Sequence, residues 1–232
     1  MFYFIFLVFI YLIYIYIKFV EKEIEKQACD IENTYDLKEL GNLCSNMYTF
    51  YNLNQLEINY KRYYSYNTIQ KKVFLKKMNN YSYLDLFKCF HEIGHYAWEE
   101  SSKRRNIISR ILIIGLIIYR LILVPVFTSY SILLLIFFKN IINTKLYISA
   151  FLLYCIVAII KMFSTVIIER DANEFAMKFI VHENILNGDK YKVKLIKKSC
   201  LYAIMDQNII SIIYLYINLS LFYYIFFIWC II

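Results

Sequence analysis

The sequence predicts a mainly α-helical integral membrane protein with a smaller polar portion that contains a metal-binding motif. Two observations carry this prediction. The chain of 232 residues is 60% hydrophobic, and its apolar residues occur in blocks long enough to span a bilayer. Residues 91–95 read H-E-I-G-H, so two of the three histidines in the chain are four positions apart. This spacing places both imidazoles on one face of a helix, where they can reach one metal ion.

Net charge and cysteine usage argue against other classes of protein. The formal charge of +8 would suit nucleic-acid binding, but the lysines and arginines flank the apolar blocks, as the positive-inside rule expects. The six cysteines show no C-x-x-C spacing, so neither a disulfide framework nor a cysteine zinc site is indicated. We therefore expect a lipid bilayer as a partner and no nucleic acid.

The first two segments differ in charge. Residues 1–18 are uncharged up to Lys18 and predict an N-terminal transmembrane anchor. A cleaved signal peptide is the competing interpretation, but the stretch lacks a basic start and a small-residue cleavage site. Residues 19–105 are rich in charge and predict a cytoplasmic segment, in which Gly41 is expected to separate two helices.

The cytoplasmic segment is predicted to continue into a β-hairpin and the motif helix. Short alternating runs between residues 55 and 78, separated by residues 65–68, predict the hairpin. Ser82, with Asp85 three positions later, resembles a capping box, so a helix should follow. The charges on this helix place it at the membrane surface and outside the bilayer. Its buried face is predicted to contain Leu84, Phe87, Phe90 and Ile93.

Residues 106–168 predict a transmembrane helical hairpin. Its first arm should bend at Pro125, and a short turn at residues 139–145 should connect the arms. Charged residues inside the arms include Arg120 and Lys161. Arg120 is expected either to snorkel to the interface or to face the protein interior.

A third metal ligand has to come from outside the motif, because catalytic zinc sites use three protein ligands and no H-x-x-G-x-x-H continuation follows. Glu169 is preferred. It begins both the second predicted cytoplasmic segment, residues 169–207, and a new predicted helix, and two membrane crossings return the chain to the face that carries the motif. Asp171 is expected to orient a ligand histidine. Residues 208–232 then form the C-terminal transmembrane helix. The rival ligands are Glu99, Glu100, Glu174 and His182.

The two motifs resemble those of the bacterial membrane neutral zinc metallopeptidases (YugP-like), which are HExxH peptidases of the gluzincin type. The resemblance rests on H-E-I-G-H at residues 91–95 and E-R-D-A-N at residues 169–173, and its layout covers nearly the whole chain. HtpX-like peptidases are similar in plan but carry an aspartate where this chain has Asn173.

This resemblance implies a zincin-like active-site portion on the cytoplasmic face of a bacterial plasma membrane. It implies Zn²⁺ held by His91, His95 and Glu169, with Glu92 as the catalytic base. The expected activity is hydrolysis of peptide bonds in a protein or peptide substrate, membrane proteins included. The strand at Lys71–Lys77 is expected to offer its edge to an extended substrate.

Four other interpretations are open at this point. The simplest is a surface helix with two unrelated histidines. An intramembrane site-two-type protease would need the motif inside an apolar span, which its charged flanks oppose. A non-catalytic zinc-binding membrane protein, such as an adaptor or vestigial protease, would share the ligands. A transporter component would account for Arg120 and Lys161, but no pair of broken repeats supports it.

Overall fold

The structure is a computed structural model that describes residues 2–29, 34–54, 56–137 and 144–231, and it is mainly helical. In chain order its elements are α1 (Phe2–Cys29), β1 (Thr34–Asp36), α2 (Leu37–Phe50), β2 (Ile58–Lys61), β3 (Ser65–Asn67), β4 (Lys72–Lys76), β5 (Asn80–Ser82), α3 (Tyr83–Glu100), α4 (Lys103–Ile118), a π-helical turn (Tyr119–Leu123), α5 (Val124–Phe137), α6 (Thr144–His182) and α7 (Lys190–Ile231).

The chain divides into two compact units. One, here called the apolar unit, contains Met1–Tyr16, Leu112–Thr165 and Met205–Ile232. The other, here called the motif unit, contains Ile17–Ile111 and Val166–Ile204. Both small β-sheets and the H-E-I-G-H motif belong to the motif unit.

The strands of the motif unit correct the predicted hairpin. Strand β1 pairs antiparallel with β5, and the second sheet has the order β2–β4–β3. Strand β3 is antiparallel to β4, whereas β2 is parallel to it. Residues 65–67 are therefore a strand and not a turn. The chain reverses twice, before β3 and again at residues 68–71, where Lys71 has a φ of 49°. Because the chain reverses its direction twice between β2 and β4, these two strands run parallel.

The sheet order also overturns the expectation that Lys71–Lys77 offers its edge to a peptide. Strand β4 lies between β2 and β3, so neighbouring strands already occupy the hydrogen-bonding groups on both of its sides. Within the described part of the chain, β3 has a paired neighbour on one side only. Strands β2 and β3 are the two edges of this sheet in the described part of the chain, and β3 is next to the motif helix, because its Tyr66 ring contacts those of His95 and Tyr96.

Helix α3 begins where the sequence predicts. The Asp85 N–H donates to Ser82 Oγ at 3.2 Å, and the Ser82 N–H donates to the Asp85 carboxylate at 3.1 Å, which completes the capping box. These bonds satisfy main-chain donors that a helix start leaves without partners. The predicted inner face is confirmed, since Leu84, Phe87, Phe90 and Ile93 are all buried in the core of the motif unit.

Two helix boundaries differ from the prediction. Gly41 lies inside α2, which has its own capping box at Asp36 and Glu39, so the preceding helix ends well before Gly41. Glu169 does not begin a helix, because α6 is continuous from Thr144 to His182. The Glu169 carboxylate therefore has no role at a helix N-terminus.

In the apolar unit, the structure has a π-helical turn at Tyr119–Leu123, just before Pro125, where the sequence predicts a bend. Proline has no N–H to donate to the carbonyl four residues earlier, and its ring crowds that carbonyl. The Val124 N–H donates instead to the carbonyl of Tyr119, five residues earlier, which widens the turn. The predicted connection at residues 139–145 falls largely outside the described residues, and so does the side chain of Arg120.

Two buried polar side chains of the apolar unit form hydrogen bonds between helices. The fully buried Asn218 donates to the Tyr154 hydroxyl at 3.0 Å, and Lys161 Nζ donates to Ser211 Oγ at 2.7 Å. Such bonds offset the cost of placing polar groups in apolar surroundings. Lys161 is thus part of an interhelical contact, and its presence does not require a transport pathway.

Two helices are long and apolar enough to cross a membrane. The segments are Ile148–His182 in α6 and Lys190–Ile225 in α7. Only 22% and 28% of their most apolar windows are buried, whereas a core helix of a soluble protein would be mostly buried. Large apolar side chains exposed on α1 include Phe9 and Leu12. Exposed apolar surface on this scale is typical of helices that face lipid.

Replacing the cap residue of α3 should weaken the motif unit. We expect Ser82→Ala to lower the free energy of unfolding by about 1 kcal/mol, because the Asp85 N–H loses its acceptor. Ser82→Thr, which keeps a hydroxyl acceptor, is the matched control, and its free energy of unfolding should be close to that of the original sequence. Denaturant unfolding of the detergent-solubilised protein measures both. Equal stability of the alanine variant would contradict the proposed cap.

Candidate metal centre

Two helices of the motif unit bring three possible metal ligands together. Helix α3 supplies His91 and His95, and α6 supplies Glu169. The His91 and His95 Nε2 atoms are 3.1 Å apart, and Glu169 oxygens lie 3.1 Å from His91 Nε2 and 3.7 Å from His95 Nε2. All three donor atoms lie within 4.8 Å of one another. The predicted residues therefore form one group that could hold a metal ion.

The spacing of these atoms fits zinc. Zinc–ligand bonds of about 2.05 Å in tetrahedral geometry separate the ligand atoms by about 3.3 Å. The three observed distances lie on both sides of that value. Among the described residues, the group has no fourth member that could act as a histidine, cysteine or carboxylate ligand. The side chains of His91, His95 and Glu169 stay 15%, 14% and 14% exposed, so the group is reachable from solvent.

The rival ligands lie in other contacts. Glu99 accepts from Tyr66 and Ser109, Glu100 pairs with Lys71, Glu174 pairs with Lys178, and His182 pairs with Glu183. Glu99 is the closest of them in sequence, yet it lies one helical turn beyond His95 and does not join the metal-binding group.

Asp171 has a different partner from the one expected. Its carboxylate accepts from Trp98 Nε1 at 3.0 Å and lies 3.3 Å from Arg170. Asp171 therefore connects α6 to α3 and does not orient a ligand histidine. The Nδ1 atom of His91 is buried without a hydrogen-bond partner in the described part of the chain, and Asn173, besides Glu169 and Glu92, lies close enough to this imidazole to raise its pKa. The sequence offered a signal for Asn173, which lies four residues after Glu169 and so on the same helix face.

Gly94 allows the two helices to approach closely. A Cβ atom placed on Gly94 would lie 2.5 Å from the carbonyl oxygen of Ala172 and 3.4 Å from its Cα. No side chain larger than hydrogen fits there unless a backbone moves. Ala172 is itself small and fully buried. The motif glycine thus lets α6 come near enough to α3 for Glu169 to reach the histidines.

Burial and neighbouring charges set the protonation of the site. Burial, with His91 beside it, lowers the pKa of His95 to about 4, so His95 is neutral at pH 7, as a metal ligand must be. Burial also lowers the pKa of His91, but the hydrogen bond to Glu169 and the charge of Glu92 outweigh it and leave that pKa raised.

Glu92 has the electrostatics of a general base. Burial raises its pKa to about 7, with a further rise from Glu169 and opposing effects from His91 and from the nearby main-chain N–H of Tyr66. A carboxylate with a pKa near ambient pH can accept a proton and release it again.

Tyr66 is the residue of this site that the sequence did not indicate. It lies in β3, and its ring is almost parallel to that of His95, with centroids 6.5 Å apart and an interplanar angle of 9°. The chain contains 24 tyrosines, and no local pattern distinguishes this one from the others. Its position depends on the sheet, which residues distant in sequence build.

Comparison with known proteins adds no assignment: no protein-family model matches the chain, and neither does a curated protein or a solved structure. The functional interpretation therefore rests on the two motifs and on the geometry that brings them together.

Substituting Gly94 tests the contact between the helices. We expect Gly94→Ala to lower the free energy of unfolding by about 1–3 kcal/mol and to weaken zinc binding, because the added methyl group collides with the Ala172 carbonyl. Gly41→Ala is the matched control. A Cβ on Gly41 meets nothing within 4 Å, so this variant should gain about 0.5–1 kcal/mol from helix propensity. Thermal unfolding measures the stability of both variants, and zinc titration measures their metal affinity. If Gly94→Ala changed both quantities no more than Gly41→Ala does, the close approach of the helices at Gly94 would be contradicted.

Proposed function

We propose that the chain is a membrane-embedded, zinc-dependent metallopeptidase that acts at the cytoplasmic face of a bacterial plasma membrane. The observation that carries the proposal is the convergence of His91, His95 and Glu169, with the carboxylate of Glu92 beside them. Two imidazoles and a carboxylate are a donor set that zinc accepts, and they are a known ligand set for catalytic zinc.

The roles of the residues follow from their chemistry. Zinc in such a site supplies a Lewis acid that activates water and polarises a carbonyl group. Glu92 takes a proton from the attacking water as the new C–O bond forms. It then passes that proton to the leaving amine as the C–N bond breaks, so that it ends the cycle ionised. The pKa of about 7 suits both transfers.

The donor count favours catalysis over a structural role. Structural zinc sites are closed by four protein ligands, whereas catalytic sites keep a position open. In the described part of the chain the group has three members, and each is partly exposed. The main alternative is a non-catalytic zinc-binding membrane protein, an adaptor or a vestigial protease, in which Glu92 would have no role.

The substrate would lie extended along β3. The N–H and C=O of one strand residue point to the same side. The effect of the Tyr66 N–H on the pKa of Glu92 indicates that this N–H lies on the side of β3 nearest the motif, so the Tyr66 carbonyl on the same side could accept from the N–H of a bound peptide. A peptide placed there would have its carbonyl groups near the metal ligands. This arrangement replaces the one expected for β4.

Glu92→Gln separates catalysis from metal binding. We expect kcat for casein or a membrane-derived peptide to fall by about 10²–10⁴-fold, because an amide cannot take the proton from water. Zinc content should be unchanged, because Glu92 is not among the three ligand residues. Hydrolysis at the original rate would exclude Glu92 as the base. Stoichiometric zinc without any hydrolysis in the unmutated protein would favour the non-catalytic alternative.

Glu169→Gln tests the third ligand. We expect its zinc affinity to fall by more than the ~10–100-fold that loss of a ligand-orienting residue costs, because an entire ligand is weakened. Glu174→Gln is the matched control on the same helix. Glu174 is exposed and pairs with Lys178 outside the group, so this variant should bind zinc normally. Competition with a chromogenic chelator measures both affinities, and unchanged binding by Glu169→Gln would require another ligand.

A further inference from the structure

Glu99 is a buried acidic side chain that the proposed reaction does not use. It is 2% exposed and lies on α3 one turn beyond His95. In the described part of the chain its partners are hydroxyl groups: Tyr66 donates to one carboxylate oxygen at 2.8 Å, and Ser109 donates to the other. Bonds of this kind give a buried carboxylate the hydrogen-bond partners that water does not supply there. A carboxylate buried in this way calls for a structural or functional reason.

Tyr66 connects this carboxylate to the motif. Its hydroxyl donates to Glu99, its ring lies almost parallel to that of His95, and its main-chain N–H is close enough to Glu92 to lower the pKa of that carboxyl group. Burial and the negative charge of Glu99 raise the pKa of the phenol, so it stays protonated and remains a donor. One residue therefore contacts a metal-ligand candidate, the candidate base and the buried acid.

Strand β3 has little else to hold it in place. It contains three residues, pairs with a neighbour on one side in the described part of the chain, and is followed by the turn at residues 68–71. A short edge strand with few ladder hydrogen bonds is expected to open easily. An anchor on its central residue would limit that opening where the strand meets the site.

We propose that Glu99 acts through Tyr66 as a positioning pair, which holds β3 against the motif helix and keeps Tyr66 beside His95 and Glu92. Ser109 orients Glu99 from α4 by its hydrogen bond to the second oxygen. The catalytic consequence rests on the proposed peptidase function. The structural consequence, an ordered β3, does not.

Hydrogen exchange tests the structural consequence in the full chain, with and without zinc. In Tyr66→Phe, the amides of residues 65–67 should exchange about tenfold faster, because the anchor of the strand is lost. Tyr64→Phe is the matched control. Tyr64 is also half-buried and donates to a carboxylate, that of Asp85 at 3.1 Å, but it makes no ring contact with His95. It should leave the exchange of β3 within about twofold of the original.

Coupling between the two residues is the second measurement. Glu99→Ala should accelerate exchange in β3 as much as Tyr66→Phe does, and the double variant should be no faster than either single variant. Glu99→Gln, which keeps an oxygen acceptor for the phenol, should restore most of the protection. Additive effects, or unchanged exchange in either single variant, would overturn the pairing whether or not the protein cleaves peptides.

Kinetics tests the catalytic consequence. Tyr66→Phe should lower kcat by about tenfold or more at unchanged zinc content, because a misplaced base costs rate even when the metal site is intact. A fall in zinc content or an equal loss in Tyr64→Phe would show general loosening of the unit and would overturn the specific role. If the unmutated protein cleaves nothing, the peptidase proposal fails, while hydrogen exchange still decides whether the pair orders β3.

Discussion

The contact between Gly94 and the carbonyl of Ala172 sets the distance between α3 and α6, and the metal-binding group depends on that distance. Glu169 lies three residues before Ala172, about one helical turn along the same face. Because the two backbones meet at Gly94, the Glu169 carboxylate lies 3.1 Å from Nε2 of His91. A methyl group at Gly94 would push the helices apart, and the Glu169 carboxylate would then be too far from the motif histidines for a hydrogen bond or for a shared metal ion.

Distance alone would not place Glu169, because α6 could still rotate about its axis. Contacts on either side of Gly94 fix that rotation. Trp98, one turn beyond it on α3, donates to Asp171, and Phe90, one turn before it, packs edge-to-face on Phe179 with ring centroids 5.0 Å apart. Packed helices have few alternative registers once small and large residues are matched in this way. Asp171, which the sequence predicts to orient a ligand histidine, therefore aligns the two helices instead.

Local patterns predicted the parts of this arrangement that local chemistry determines. The capping box at Ser82 and the apolar spacing fix α3 and its buried face, so both could be read from the sequence. The prediction of Glu169 as the third ligand follows from the number of predicted membrane crossings between it and the motif. The strand at residues 65–67 could not be predicted, because its polar residues suit a turn and its pairing with β4 depends on partners elsewhere in the chain. The role of Tyr66 cannot be predicted for the same reason, and the helix break predicted at Gly41 is absent because a single glycine does not end a well-capped helix.

The charges of the site would favour a bound cation. Glu92 and Glu169 lie close enough for each charge to affect the other, and His95 is neutral at pH 7. The imidazole of His91, with its raised pKa, is the group that can balance them without a metal. One imidazolium cannot balance two carboxylates in a place that water only partly reaches, and the like charges raise the pKa of Glu92. A divalent cation would supply the missing positive charge, and the same donors that repel one another in its absence are those that would bind it.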